Sequence, residues 1–217
     1  MASSTRVKHA VADWTPPAIL RFGARVRDRL GRSPTPFDGW DGLLRECLAQ
    51  SSVYGEYGVG SSTLFVARQT SLPIIAVDTS EAWIDLVTQS LAPTRQSVDI
   101  RWVDCGALGP WGTPSSYEKR HNFPEYAESL WNRNYKPDLV LVDGRFRVLS
   151  FLRSLLKASG GCRILFDDYA RRTEYHVVEE FVQPIEWCNQ QALFVVPDHF
   201  DRASVDDLSQ KFELVWR

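Results

Sequence analysis

The chain of 217 residues has no excess of positive charge: 25 Lys and Arg stand against 27 Asp and Glu, a net charge of −2. Nucleic-acid binding driven by counterion release therefore has no source in the composition, and no nucleic-acid partner is expected. Cysteine is scarce, with Cys47, Cys105, Cys162 and Cys188 widely spaced and no C-x-x-C pair. That spacing suits neither a zinc site nor a disulfide framework, and predicts buried thiols in a reducing, cytoplasmic setting. No window approaches about 18 consecutive apolar residues, so no membrane span is expected. The opening MASSTRVKHAVADW has no apolar stretch and predicts no secretory signal. Hydrophobic residues are not lacking: 44% hydrophobic and 24% charged is ordinary globular composition, which excludes wholesale disorder. A chain of this length buries roughly 70% of the surface its unfolded form exposes and needs no staples. The surplus is aromatic, with 8 Trp, 7 Tyr and 11 Phe.

Residues 1–17 carry no clear period and read as a loose arm. Ile19, Phe22, Val26 and Leu30 fall three or four apart, one stripe of a helix over 19–30. A loop through SPTPFDG leads to a second helix over 39–50, with Leu43, Leu44, Cys47 and Leu48 facing inward. Beyond it, strand-like and helix-like stretches alternate. Strands are expected at 53–58, 72–78, 98–104, 137–144, 162–168, 192–197 and, last, FELVWR at 212–217. Helices are expected at 62–69, 80–92 with Ser80 as N-cap, within 124–135, at 146–161 and at 174–185. Apolar runs such as PIIAV and DLVLV suit strands covered on both faces. The pattern predicts an α/β fold: an open, mainly parallel, doubly wound sheet of about seven strands wrapped by helices. Residues 1–50 are read as an N-terminal arm with helices, and 51–217 as the α/β domain.

The strongest local signal is Glu56-Tyr57-Gly58-Val59-Gly60-Ser61-Ser62-Thr63, between the first strand and its helix. Glycines there let the backbone turn sharply and approach a ligand, while the helix N-terminus and the hydroxyls of Ser61, Ser62 and Thr63 supply donors. A tight turn alone has the same look. Asp78 ends the second strand, where a carboxylate can accept both hydroxyls of a ribose. Asp104 ends the third strand, Asp143 the fourth, and Asp167 and Asp168 the fifth. In an open α/β sheet those ends border the ligand crevice, although any one of them is equally a solvated strand end.

A dinucleotide fingerprint has a third glycine where this chain has Thr63. An acidic residue in the first strand followed by G-x-G instead resembles the loop of class I S-adenosylmethionine-dependent methyltransferases, over roughly residues 50–197. The resemblance implies a Rossmann-like fold whose closing strand pairs antiparallel, with S-adenosylmethionine as cofactor. It places Glu56 and the loop from Gly58 to Thr63 at the cofactor, Asp78 on its ribose, and Asp104 and Cys105 at its adenine. Asp143-Gly144, a helix, Gly160-Gly161, a strand and Asp167-Asp168-Tyr169 are similar to metal-dependent O-methyltransferases of the macrocin type, and more distantly to the catechol and caffeoyl types. That likeness implies Mg²⁺ held by Asp143, Asp167 and Asp168, with Asp143 also close to the cofactor. Oxygen ligands suit a hard cation, and a hydroxyl bound to it loses its proton more easily. The family pattern is Asp-Gly-Asp, whereas this chain has Asp143-Gly144-Arg145. Arginine cannot act as a general base. Arg145 either clamps an anionic group of the substrate or forms a salt bridge to Asp143 or Asp168.

The catalytic set expected is therefore Asp168, Arg145 and His121, with His176 as a second candidate base and His9 and His199 peripheral. The stretch 105–135 carries Trp111, Tyr117, Phe123, Tyr126, Trp131 and Tyr135, which either line a substrate pocket or pin a long loop. The reading that results is O-methylation of a small molecule or saccharide, with oligomeric state left open. Two others compete. One is a nicotinamide-dependent oxidoreductase, supported by the G-x-G turn and Asp78. The other is a non-catalytic nucleoside-cofactor-binding protein, supported by Arg145.

Overall fold

A computed structural model of the chain describes residues 35–91 and 96–216. The expected arm at 1–17, the helix at 19–30 and His9 lie outside the described residues. The described chain opens with α1 (Gly42–Leu48), then alternates through β1 (Tyr54–Tyr57), α2 (Ser61–Gln69), β2 (Ile74–Asp78), α3 (Glu81–Ser90) and β3 (Val98–Trp102). Two short 3₁₀ turns, Pro110–Gly112 and Arg120–Asn122, precede α4 (Phe123–Glu128), β4 (Leu139–Val142), α5 (Arg147–Lys157) and β5 (Arg163–Phe166). A 3₁₀ helix (Thr173–Glu180) leads to β6 (Glu186–Cys188), β7 (Gln191–Val195) and α6 (Arg202–Lys211).

The strands form one seven-stranded sheet in the order β3-β2-β1-β4-β5-β7-β6. The first five are parallel; β7 runs antiparallel to β5, and β6 antiparallel to β7. Side chains alternate between faces, so Ile74 and Leu141 pack with α1 and α2, while Ile75 and Val142 pack with α4 and α5. Both faces of the central strands are thus dry, as their continuous apolar runs require. Each fully buried Leu, Ile, Val or Phe contributes about 1.5–3 kcal/mol relative to leaving it in water. Helix α1 shares the core with β1, β2 and β4, so the compact unit begins at Thr35, ahead of residue 51. Ser80 caps α3 by accepting from the Trp83 N–H at 3.3 Å.

The closing strand expected at 212–217 does not form over its described residues, 212–216. Residues 202–211 make a helix instead, started by Asp201, whose carboxylate accepts from the N–H groups of Ala203 and Ser204 at 3.1 and 3.2 Å. The tail beyond it turns back, and Trp216 packs 4.4 Å from Tyr117 and edge-on to Phe123 at 5.8 Å. The antiparallel pair comes from a different place, the β6–β7 hairpin. Gln191–Val195 enters the sheet from a two-residue turn, Asn189-Gln190, rather than from a helical crossover, and so runs against β5. Asn189 takes the left-handed conformation, φ 53°, that such a turn needs. The helix expected at 174–185 is shortened to the 3₁₀ segment. No helix among the described residues is long and apolar enough to cross a membrane. Cys47, Cys105 and Cys162 are buried free thiols, and Cys188 is a partly exposed one.

Candidate active site

The strand order reverses between β1 and β4, and the crevice opens where the chain leaves these two strands. The two departing loops cross in direct backbone contact. Gly58 has φ +87°, and a Cβ there would lie 2.7 Å from the Gly144 Cα. A Cβ on Gly144 would in turn meet the Gly58 nitrogen at 2.7 Å and collide with the Tyr126 hydroxyl. Glycine at both positions is what allows the crossing. Gly60 differs: a Cβ there would meet nothing within 4 Å, so its bare backbone faces open space.

Glu56 organises this loop from beneath. Its carboxylate is fully buried and accepts hydrogen bonds from Ser62 Oγ and, at 2.6 Å, from Thr63 Oγ1. Thr63 Oγ1 accepts in turn from the Gly60 N–H at 2.9 Å. Burial pushes the Glu56 carboxyl up to about 7, with Asp78 adding to the shift and the hydroxyl hydrogen bonds opposing it. Ser62 and Thr63 are therefore turned inward onto Glu56, while Ser61 is the exposed hydroxyl of the three.

At the end of β2, Asp78 Oδ2 accepts from the Val59 N–H at 3.0 Å and Oδ1 from the Ser80 N–H at 2.8 Å. Burial raises its pKa, and the backbone N–H groups with Arg145 oppose the rise. An ionised carboxylate has about four acceptor sites, so these two bonds leave acceptor capacity for a hydroxyl of a ligand. The first part of the 105–135 stretch sits beside it: Thr79 Oγ1 donates to the Gly112 carbonyl at 2.7 Å. Trp111, in this turn, has φ 63° and is 70% exposed. Asp104 lies further along the rim. It accepts from the Gly106 N–H at 3.0 Å, pairs with Lys119 at 3.3 Å, and has its pKa lowered, first by that N–H and then by Lys119. Cys105 is buried, and burial pushes its thiol up to about 12.

The acids beyond β4 and β5 are held by a residue that the sequence reading passed over. The Arg147 guanidinium, buried at the start of α5, donates to Asp143 Oδ1 at 2.9 Å and Asp168 Oδ2 at 3.1 Å. It also donates to the carbonyls of Gly144 (3.1 Å), Asp167 (2.8 Å) and Asp143 (3.2 Å). Burial works against its charge, but Asp143, Tyr175, Asp168 and Asp167 outweigh it and raise its pKa. Arg172 adds a second ion pair to Asp168 at 3.1 Å. Burial pushes up both Asp143 and Asp167; Arg147 opposes in each case, while Asp168 and Glu56 add to the rise at Asp143, and Asp143 and Asp168 add to it at Asp167. The donor set does not fit Mg²⁺. Two of the three expected ligands already neutralise a guanidinium, and no group of three or more acidic, His or Cys side chains among the described residues could hold a metal ion. The i, i+4 spacing of Asp143 and Arg147 was the available sequence signal, but it crosses a strand–helix junction where that rule has no force.

Arg145, expected either to clamp an anion or to pair with Asp143 or Asp168, makes no ion pair among the described residues; Arg147 has taken both partners. Its backbone N–H donates to Tyr126 Oη at 3.2 Å. Burial and the neighbouring Arg147 lower the pKa of its guanidinium, while Tyr126 and Asp143 raise it. His121 is exposed and lies near enough to Asp104 to favour its charged form. His176 stacks on Tyr169 at 4.7 Å and lies 3.2 Å from its carbonyl, a structural placement. His199 is exposed. The aromatics of 105–135 divide. Phe123, Tyr126 and Trp131 are core, packed with Tyr57 and Phe146, so pinning accounts for half of them. Two non-glycine residues at the crevice, Phe146 (φ 52°) and Asp168 (φ 58°), occupy the left-handed region, a conformational cost of order 1–3 kcal/mol each at functional sites.

A Rossmann-like sheet with a glycine crossing at its switch point and acids on successive strand ends defines a nucleoside-cofactor crevice. Known proteins place it further. The chain is 32% identical to a methyltransferase-like protein from Silicibacter pomeroyi DSS-3 of known structure, over 82% of this chain and 95% of that one, with a TM-score of 0.71. It belongs to the class I S-adenosylmethionine-dependent methyltransferase superfamily. A methyltransferase from Podospora anserina, solved with S-adenosylhomocysteine, shares the fold at 12% identity, covering 90% of this chain and 97% of its own, with a TM-score of 0.51. No family model and no curated protein matches the sequence.

Proposed function

We propose that the protein transfers a methyl group from S-adenosylmethionine to an oxygen of a small molecule or saccharide, in a cytoplasmic setting. The observation that carries the cofactor half is Asp78, fixed by two backbone N–H groups beside the glycine crossing, with acceptor sites left over. The cofactor, when bound, supplies an electrophilic methyl on a sulfonium. The residues of this chain bind and orient. Asp78 accepts the ribose hydroxyls. Gly60 leaves the backbone bare where the cofactor passes, and Arg145 offers a cation for a carboxylate or phosphate. Rate enhancement then comes mainly from holding the acceptor oxygen in line with the methyl. Arg147 fulfils the charge-neutralising role at Asp143 and Asp168, so the step runs through no metal.

Calorimetric titration with S-adenosylhomocysteine and, separately, with NAD tests the reading. Binding of the former and none of the latter is expected. Binding of NAD alone would reject it in favour of an oxidoreductase. If S-adenosylhomocysteine binds but labelled methyl is transferred to no hydroxylated acceptor across a broad panel, the protein is a non-catalytic cofactor binder.

A further inference from the structure

Where the chain leaves β4 and β5, on the β7 side of the crevice, lies a cavity of about 230 Å³ that shares Asp143 with the crevice. Its wall includes Asp38, Asp143, Asp167, Asp168, Gln191 and Trp40, and among the described residues no Lys or Arg lines it. Arg147 and Arg172 stand behind the wall and engage Asp143 and Asp168. Asp167 and Asp38 have no ion-pair partner among the described residues. Gln191 supplies an independent sign of a missing ligand. It is only 1% exposed, and although its amide stands close enough to Asp167 to favour the charged carboxyl, neither Nε2 nor Oε1 completes a hydrogen bond. The Gln190 Oε1, on the same wall, is likewise buried and unpaired. Unpaired buried polar atoms are costly, so they are retained where something else completes them.

We infer that this cavity binds the ammonium group of an amine-bearing methyl acceptor, such as an amino sugar, with Asp167 as its counter-ion. An ammonium is a donor-only group with three N–H bonds, and this wall offers carboxylate and amide oxygens, of which the Asp167 carboxylate has no ion-pair partner among the described residues. The Trp40 indole, 54% exposed at the mouth, gives the face on which a cation or a sugar ring packs. The inference rests on the methyltransferase reading for what happens to the acceptor, but not for its binding.

The test is calorimetry on protein saturated with S-adenosylhomocysteine, using D-glucosamine, D-glucose and N-acetylglucosamine as probes. Glucosamine should bind about tenfold tighter than either neutral sugar, a difference of ~1.4 kcal/mol. Asp167→Asn, which keeps the side chain's shape, should abolish that preference by weakening glucosamine alone. Asp38→Asn, at an exposed position, should reduce it in part. Equal affinities, no glucosamine heat up to tens of millimolar, or a preference intact in both variants would overturn the proposal. Loss of S-adenosylhomocysteine binding with the glucosamine preference retained would reject the functional reading and leave this one standing.

Discussion

Arg147→Met is the sharpest test of the site's electrostatics. The guanidinium is 6% exposed and bridges Asp143 and Asp168, whose side chains are 33% and 41% exposed. Methionine fills much of the same space but supplies none of the five hydrogen bonds, so two carboxylates at the head of α5 lose their common counter-charge. Breaking a fully buried ion pair by removing one partner costs about 3–5 kcal/mol. Solvent reaches both carboxylates here and screens part of the loss, which puts the expectation at the lower end, about 3 kcal/mol. For a chain of this size each kcal/mol shifts Tm by about 2–4 °C, so a fall of roughly 6–12 °C is expected in a thermal scan. Arg147→Lys should recover only part, because an ammonium cannot reach both acids and three carbonyls from one planar fork. Adding Asp143→Asn to Arg147→Met should return about 1–2 kcal/mol, since it removes the charge that had been left unpaired. A loss under about 1 kcal/mol for Arg147→Met, or strictly additive behaviour in the double variant, would refute this account of the bridge.

Other consequences follow from the same geometry. Mg²⁺ should leave Tm unchanged and EDTA should leave methyl transfer unchanged; a Tm that rises with Mg²⁺ would mean the three acids collect a cation despite Arg147. Glu56, with its folded pKa raised from 4.5 to about 7, is stabilising in its protonated form. Its contribution is fully present below about pH 4.5 and lost as pH rises to about 7, an effect on the order of 3 kcal/mol. Glu56→Gln should flatten that stretch of the stability–pH curve measured by urea unfolding, and an unchanged slope would contradict the assignment. Gly144→Ala should cost about 1–3 kcal/mol from overpacking against Gly58 and Tyr126, and a neutral result would show that the loops are not in contact. Asp78→Asn should weaken S-adenosylhomocysteine binding by about 1–3 kcal/mol in calorimetry, with unaltered affinity counting against its ribose role.

The sequence by itself determined the parallel core of the sheet, because strand-like stretches alternating with helices, with apolar runs such as PIIAV and DLVLV at the centre, admit little else once the central strands must be dry on both faces. It also determined the glycine turn and the row of strand-end acids, since these are local features of spacing. What it left open depends on partners far apart in the chain. FELVWR alternates as a strand does, but the capped helix at 202–211 carries its tail onto Tyr117 and Phe123 and away from the sheet. Ser62 and Thr63 looked like ligand donors, until the fold placed the buried Glu56 under them. Three of six loop aromatics proved to be core: Phe123 and Tyr126 lie on the inner side of α4, and Trp131, just beyond it, donates to the buried Tyr57 hydroxyl. The tertiary structure decided the largest question at the site. Three carboxylates near one another read as a metal centre, and only the tertiary arrangement shows that two of them, Asp143 and Asp168, are already paired with the Arg147 guanidinium.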